Sequence, residues 1–384
     1  MAYLSDYLGG GVGLSTTPLG SVLSNVLGPG VNFQPTKTAV ARAAYPALST
    51  AFPNASSVAY EATVQTLPSV QAWSACAYGN GVYVAATQTS GVIAISYNGV
   101  TWMESILINP ASVITAIAYG NGVFVALDSS SNTRAYSSPD GITWTARTLP
   151  VAINWSAIIY ANNQFVAVSA GSSSSNVAAT SPDGITWTAR TLPTSATWGS
   201  IAYGNGVYLA VAGWSGNSTT SSGNSTTSNV AATSPDGITW TAQTLPNSSF
   251  GTSVAFGNGV FVVVAGGGTP YAATSPDGSV FTASAGFASP STDLQINFGN
   301  GAFFVLPQNA APGTAWGLGF DGDAWTSLAL PGSYSSACFG NGQFLAVNSS
   351  LATGTDALLV WLRSVFSNQY VYLAGTAGQL VRVM

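Results

Sequence analysis

The chain contains no histidine, and of its 384 residues only seven are Lys or Arg and twelve are Asp or Glu. Each shortage excludes something. Without imidazole, the side chain that most often moves protons near neutral pH is missing, and any acid–base chemistry rests on a handful of carboxylates. So few cations, with a net charge of −5, leave no basic footprint for a phosphate backbone, so no nucleic-acid partner is expected. No stretch of eighteen apolar residues occurs, which argues against insertion into a membrane by helices. The opening "MAYLSDYLGGGVGL" carries Asp6 and a glycine run where an export signal has basic and then apolar residues, so export by that route is not expected. Metal and cofactor sites are not expected either: the two cysteines lack ligand spacing, and the isolated aspartates form no calcium loop. Cys76 stands four residues before Asn80 and Cys338 three before Asn341, positions that point to opposite faces of a strand. A buried, small apolar role fits both, with a disulfide the minor reading.

What the chain has in abundance is repetition. "SPDGITWTARTLP" stands at 138–150 and again at 181–193, and 234–246 reads "SPDGITWTAQTLP". A second phrase, "AYGNGVYVAAT" at 77–87, recurs with variation around Asn80, Asn121, Asn162, Asn205, Asn258, Asn300 and Asn341, at spacings of 41, 41, 43, 53, 42 and 41 residues. A period in the low forties means one supersecondary unit per repeat. Asn-Gly between two apolar runs predicts a type I′ hairpin, because both residues tolerate positive φ. "SPDG" predicts a second reversal, its proline presetting φ and its Asp and Gly completing the turn. Four antiparallel strands per unit, with no helical period between them, predict an all-β chain folded as a β-propeller of seven blades, with eight as the alternative.

The ends carry a closure signal. "EATVQTLPSV" at 61–70 reads as the outermost strand of a unit without its first three, and "QYVYLAGTAGQLVRVM" at 369–384 as a middle hairpin without its outermost strand. An N-terminal strand that completes the last blade removes an exposed sheet edge. The expected division is therefore 1–56 as a separate extended segment and 57–384 as the propeller.

Asp140, Asp183, Asp236, Asp277 and Asp321, with Asn98 in the first unit, share one turn position, and one position repeated around a ring is a turn former rather than an active site. The aromatics that follow, Trp102, Trp144, Trp187, Trp240, Phe281 and Trp325, read as packing between blades. The remaining carboxylates, Asp6, Glu61, Glu104, Asp128, Asp293, Asp323 and Asp356, show no shared spacing, so the chain is not expected to be an enzyme. Glycoside hydrolysis by Asp128, Asp293 or Asp323 is the catalytic alternative. For binding, Trp73, Trp155, Trp198 and Tyr334 recur seven residues before the repeat asparagine, where one blade passes to the next, and Trp214 opens the long loop 213–229. Flat aromatics beside hydroxyls and amides suit sugar rings, and these five are the candidate glycan contacts; the competing reading is that they fill the space between blades.

Two stretches resemble known families. "SPDGITW" resembles the Asp-box of sialidases and related BNR-type propellers, one residue shorter between its Asp and its Thr-Trp. In those families the box is a structural turn away from the active site, so the resemblance implies fold and not activity. "TKTAVARAAYPALSTAFP" at 36–53 resembles the "VSR-x-x-Y-x-x-L" segment of bacteriophage tail-collar and tail-fibre proteins through Val40, Arg42, Tyr45 and Leu48, with Ala41 where Ser is common and Pro46 interrupting the helix. That resemblance implies a virion protein, made in the host cytoplasm. Residues 1–56 would dock to other virion proteins and the propeller would be displayed, as a homo-oligomer, for recognition of host-surface polysaccharide. A purely structural decoration of the virion is the alternative.

Overall fold

The structure is a computed structural model and describes residues 35–39, 59–106, 109, 111–170, 174–213, 228–266, 271–284, 293–308, 315–319, 322, 325–329, 331–348, 356–363, 370–373 and 380–382. The chain divides into two compact units, residues 59–365 and residues 1–58 with 366–384. The larger unit is a propeller of seven four-stranded antiparallel blades, and eight is excluded. Blade one is built from Trp73–Gly79, Val82–Thr87, Val92–Ser96 and Met103–Ile106, in that order from the inside out, and the next five repeat the pattern. Blades four and five share one long strand, Thr241–Gly257, which is outermost in the first and innermost in the second.

Blade seven takes Tyr334–Gly340, Gln343–Asn348 and Asp356–Arg363 from one end of the unit and Ala59–Thr66 from the other. The last pair runs in unbroken register from Ala59↔Arg363 to Thr66↔Asp356, which is the closure expected from the sequence. The sequence reading of 369–384 needs correction. Its strands, Tyr370–Leu373 and Leu380–Arg382, pair with each other and with Pro35–Ala39 in the smaller unit, so the propeller ends near residue 363. Alternation revealed two strands there, but which edge they join is a nonlocal choice that local pattern does not encode.

Each repeated phrase has a mechanical role. Asn80 and Gly81 hold φ of 49° and 77°, and in blade three Asn162 and Asn163 hold 47° and 60°, so the inner hairpins turn with positive φ at both residues. The aromatic two residues before each such asparagine lies on the preceding blade. A Cβ added to Gly79 would fall 1.9 Å from the Tyr119 ring, and one added to Gly120 would fall 1.9 Å from that of Tyr160. "Tyr-Gly-Asn-Gly" therefore packs a ring on a neighbour's glycine before it turns the chain.

In the second phrase Ser138 Oγ accepts from Gly141 N at 2.8 Å, and Asp140 Oδ1 accepts from Ile142 N and Thr143 N at 2.8 Å each. Trp144 Nε1 closes the unit on the Gly141 carbonyl at 2.9 Å. Asn98 does the same work in blade one through Val100 N and Thr101 N. The core is not central but divided among the interfaces. Trp144 packs with blade one's Val84 and Ile95, and Trp240 packs with blade three's Val166 and Val168.

Candidate functional site: the central channel

Innermost strands of all seven blades surround a channel of ≈ 720 Å³. Its described lining residues are hydroxyls, amides, thiols, aliphatics and aromatics, with no Asp, Glu, Lys or Arg among them. Serine and threonine near the start of several of these strands border the channel. Their hydrogen bonds show what they do.

In blades one, two, three and seven the residue after the first one of the inner strand carries a hydroxyl, and it crosses to the next blade. Ser335 Oγ donates to the Trp73 carbonyl at 2.5 Å, Ser74 Oγ to Ile114 O at 2.5 Å, Thr115 Oγ1 to Trp155 O at 2.9 Å and Ser156 Oγ to Trp198 O at 2.6 Å. Blade four has Gly199 there, and the chemistry reverses one residue later. Ser200 Oγ accepts from Val254 N at 3.2 Å, Ser253 Oγ from Ile296 N at 3.3 Å, and Gln295 Oε1 from Ala337 N at 2.8 Å. Every one of the seven blade junctions is thus bridged by a side chain from this part of the inner strands. These side chains of the wall hold the ring together, and half-buried Gln88 and exposed Thr89, which follow the second strand of blade one, also line the channel.

The candidate glycan contacts are corrected by burial. Trp73, Trp155, Trp198 and Tyr334 each show 0% exposure, although Trp155 borders the channel. A β-bulge explains it. Trp73 pairs with Thr87 while Ala75 pairs with Ala86, so Ser74 is an extra residue that shifts the strand's phase. Without the bulge Trp73 would share a face with Ala75 and Ala77. With it, the indole joins Cys76 against blade seven. Trp155 and Trp198 are turned the same way, and their Nε1 atoms bond to Val151 O at 3.3 Å and Ser175 O at 2.9 Å. No stacking face remains for a sugar. In blade six the position falls to Leu294 rather than Asp293, because that strand has no bulge. Trp214 lies outside the described residues.

Among the catalytic alternatives, Asp128 is buried and committed: it accepts from Ser130 N at 2.9 Å and pairs with Arg134 Nε at 3.1 Å. Asp293 enters blade six, half-buried, and loss of solvation pushes its carboxyl up to about 6. These two aspartates belong to blades two and six, and Asp323 lies outside the described residues. Arg147 and Arg190 bond their own blades' strands, through Ser137 Oγ at 2.8 Å and Thr180 Oγ1 at 3.0 Å, rather than converging on a ligand. Sequence reasoning missed the hydroxyl stitch. Its signal was present as Trp-Ser, Ile-Thr, Trp-Ser and Tyr-Ser at one register position.

The chain matches no family model and no curated protein. It is similar in fold to solved propellers. Virginiamycin B lyase from Staphylococcus aureus superposes with a TM-score of 0.63 at 11% identity, covering 79% of this chain and 100% of that one. A streptogramin B lyase gives 0.64 at 10% identity, covering 79% and 98%. YCF48 bound to D1 peptide gives 0.56 at 13% identity, covering 79% and 95%. At these identities the likeness is one of fold.

Proposed function

We propose that the protein is a non-catalytic display module of a bacteriophage virion, whose propeller binds a neutral, polyhydroxylated host-surface ligand at its central channel. The observation that carries the non-catalytic part is the commitment of the polar groups: the described turn aspartates bond their own backbone, and the hydroxyls of the wall bond the next blade. A structure related in fold is described as a catalytically inactive His-to-Ala variant of virginiamycin B lyase with quinupristin, and this chain has no histidine to supply such a group. The virion part rests on the tail-collar-like stretch at 36–53, and the choice of ligand on an uncharged channel lining that includes hydroxyls and amides.

The test is adsorption of the purified chain to bacterial cells and to their isolated surface polysaccharides, with reducing ends assayed in parallel. Binding without chain cleavage is expected, weakened at least tenfold by the double variant Gln88→Ala, Thr89→Ala with unchanged thermal unfolding. New reducing ends would establish an enzyme instead. A scaffold role is the second reading, and one observation favours it: Val100, Ile142, Ile185 and Ile238 occupy one turn position in four successive blades and are 42–49% exposed. A repeated apolar patch of this kind is what a packed neighbour covers. Failure to adsorb to any cell, together with presence of the chain in purified particles, would select that reading.

A further inference from the structure

The two cysteines of the chain meet where the ring closes. Cys76 is on the inner strand of blade one and Cys338 on that of blade seven, and the two strands pack side by side. They point to opposite faces of their own blades, and for that reason they face each other: around a ring, the back of one blade lies on the front of the next. Both side chains fall in the same buried cluster, with Trp73, Tyr83 and Leu345. Cys76 Sγ lies 3.7 Å from the carbonyl of Leu345, the register partner of Cys338, and 3.9 Å from Ser336 Oγ. The two thiols are neighbours in this cluster, and both are free. Both also border the channel, so a small reagent has a path to them.

We propose that Cys76 and Cys338 form a reversible disulfide that fastens the ring at its seam. As the structure stands, closure relies on hydrogen bonds and packing alone. A covalent bond here would enclose the chain from blade one to the first strand of blade seven, a very long loop whose closure strongly restricts the unfolded ensemble. The oxidant is a low-molecular-weight disulfide. One cysteine, as thiolate, attacks a sulfur of that reagent and releases one reagent thiol, which takes up the proton. The second cysteine then attacks the mixed disulfide, forming the Cys76–Cys338 bond and releasing the second reagent thiol. Two protein thiols are oxidised and one reagent disulfide is reduced. Burial first, and the neighbouring Cys76 second, hold the Cys338 thiol well above its ordinary range, so its thiolate is scarce and exchange is slow.

The experiment treats the folded full chain with 2-hydroxyethyl disulfide, a small neutral reagent, removes the excess and maps the unreduced digest by mass spectrometry. A cross-linked peptide pair containing Cys76 and Cys338, in a monomer lighter by two hydrogens, is the expected product. The thermal midpoint should rise by about 5–10 °C and return on reduction. Cys76→Ser and Cys338→Ser should each abolish the cross-link. Should a serine variant fail to fold, comparison of oxidised and reduced wild type stands by itself. Persistent free thiols, stable mixed disulfides, cross-linked dimers, or a cross-link that leaves the midpoint unchanged would each overturn the proposal.

Discussion

At the scale of the residue, the repeated aspartate shows how a group with catalytic chemistry is spent on conformation. The backbone N–H of Thr186 is the largest influence on Asp183, ahead of burial, and with that of Ile185 it holds the carboxyl below its ordinary value. The same Oδ1 geometry is made by Asn98, so Asp183→Asn should cost little at neutral pH, whereas Asp183→Ala, which leaves two backbone donors without their acceptor, should cost about 1–2 kcal/mol. A carboxylate with a lowered folded-state value stabilises fully above its unfolded value and loses that contribution as pH falls through the folded one. Any gap between wild type and Asp183→Asn should therefore be present at pH 7 and close on acidification below about pH 4. Thermal unfolding of the three proteins across pH checks this; a gap that widens in acid would contradict it. The buried tryptophans make the complementary case. Trp155 fills an interface with Leu127, Phe165 and Ala167, so Trp155→Ala should cost about 3–5 kcal/mol in denaturant unfolding, a loss that a sugar-stacking surface residue would not produce.

At the scale of the element, the blade interface turns on a ring meeting a missing Cβ. Gly120→Ala would place a methyl 1.9 Å from Tyr160, and something must move. The chain itself shows that the movement is tolerable: in blade three the equivalent residue is Ala161, packed near Tyr203. The expected cost is thus about 1–3 kcal/mol rather than loss of the fold, with Gly120→Val clearly worse, as calorimetry of the two variants would show. The same comparison explains what the sequence could disclose. Asn-Gly and Ser-Pro-Asp-Gly each dictate φ locally, so hairpins, blade number and the role of the aspartates were legible. The orientation of Trp73 was not, because it depends on one bulged residue, Ser74, and a bulge is visible only once two strands are in register. The stitch of hydroxyls was written plainly as Trp-Ser and Ile-Thr pairs, but its acceptors are carbonyls about one repeat, or the whole ring, away. The meeting of Cys76 and Cys338 likewise required knowing that successive blades present opposite faces to one interface.

At the scale of the whole molecule, closure converts a row of repeats into a ring, and a single strand makes the difference. Each blade packs on its neighbours, so an open row would leave the last sheet with one unpaired edge and a weakly held terminal blade. That edge would be Asp356–Arg363, whose stretch Ala357–Val360 is apolar and buried in the closed ring. Removing residues 57–70 deletes the strand Ala59–Thr66, with its eight-residue register, and Leu67, which is buried in the seam cluster beside Trp73. The backbone donors and acceptors of Asp356–Arg363 would then be free to pair with another copy, the usual route from an exposed edge to aggregation. The truncated chain should therefore scatter light on mild warming, unfold at lower temperature than the full chain, and lose the cooperativity of its transition. A synthetic peptide spanning 57–70, added in excess, should restore solubility by occupying the vacant edge, because the pairing is antiparallel and needs no covalent link to the rest of the ring. A truncated protein that stays monomeric and melts cooperatively at the temperature of the full chain would show that the propeller holds without its clasp.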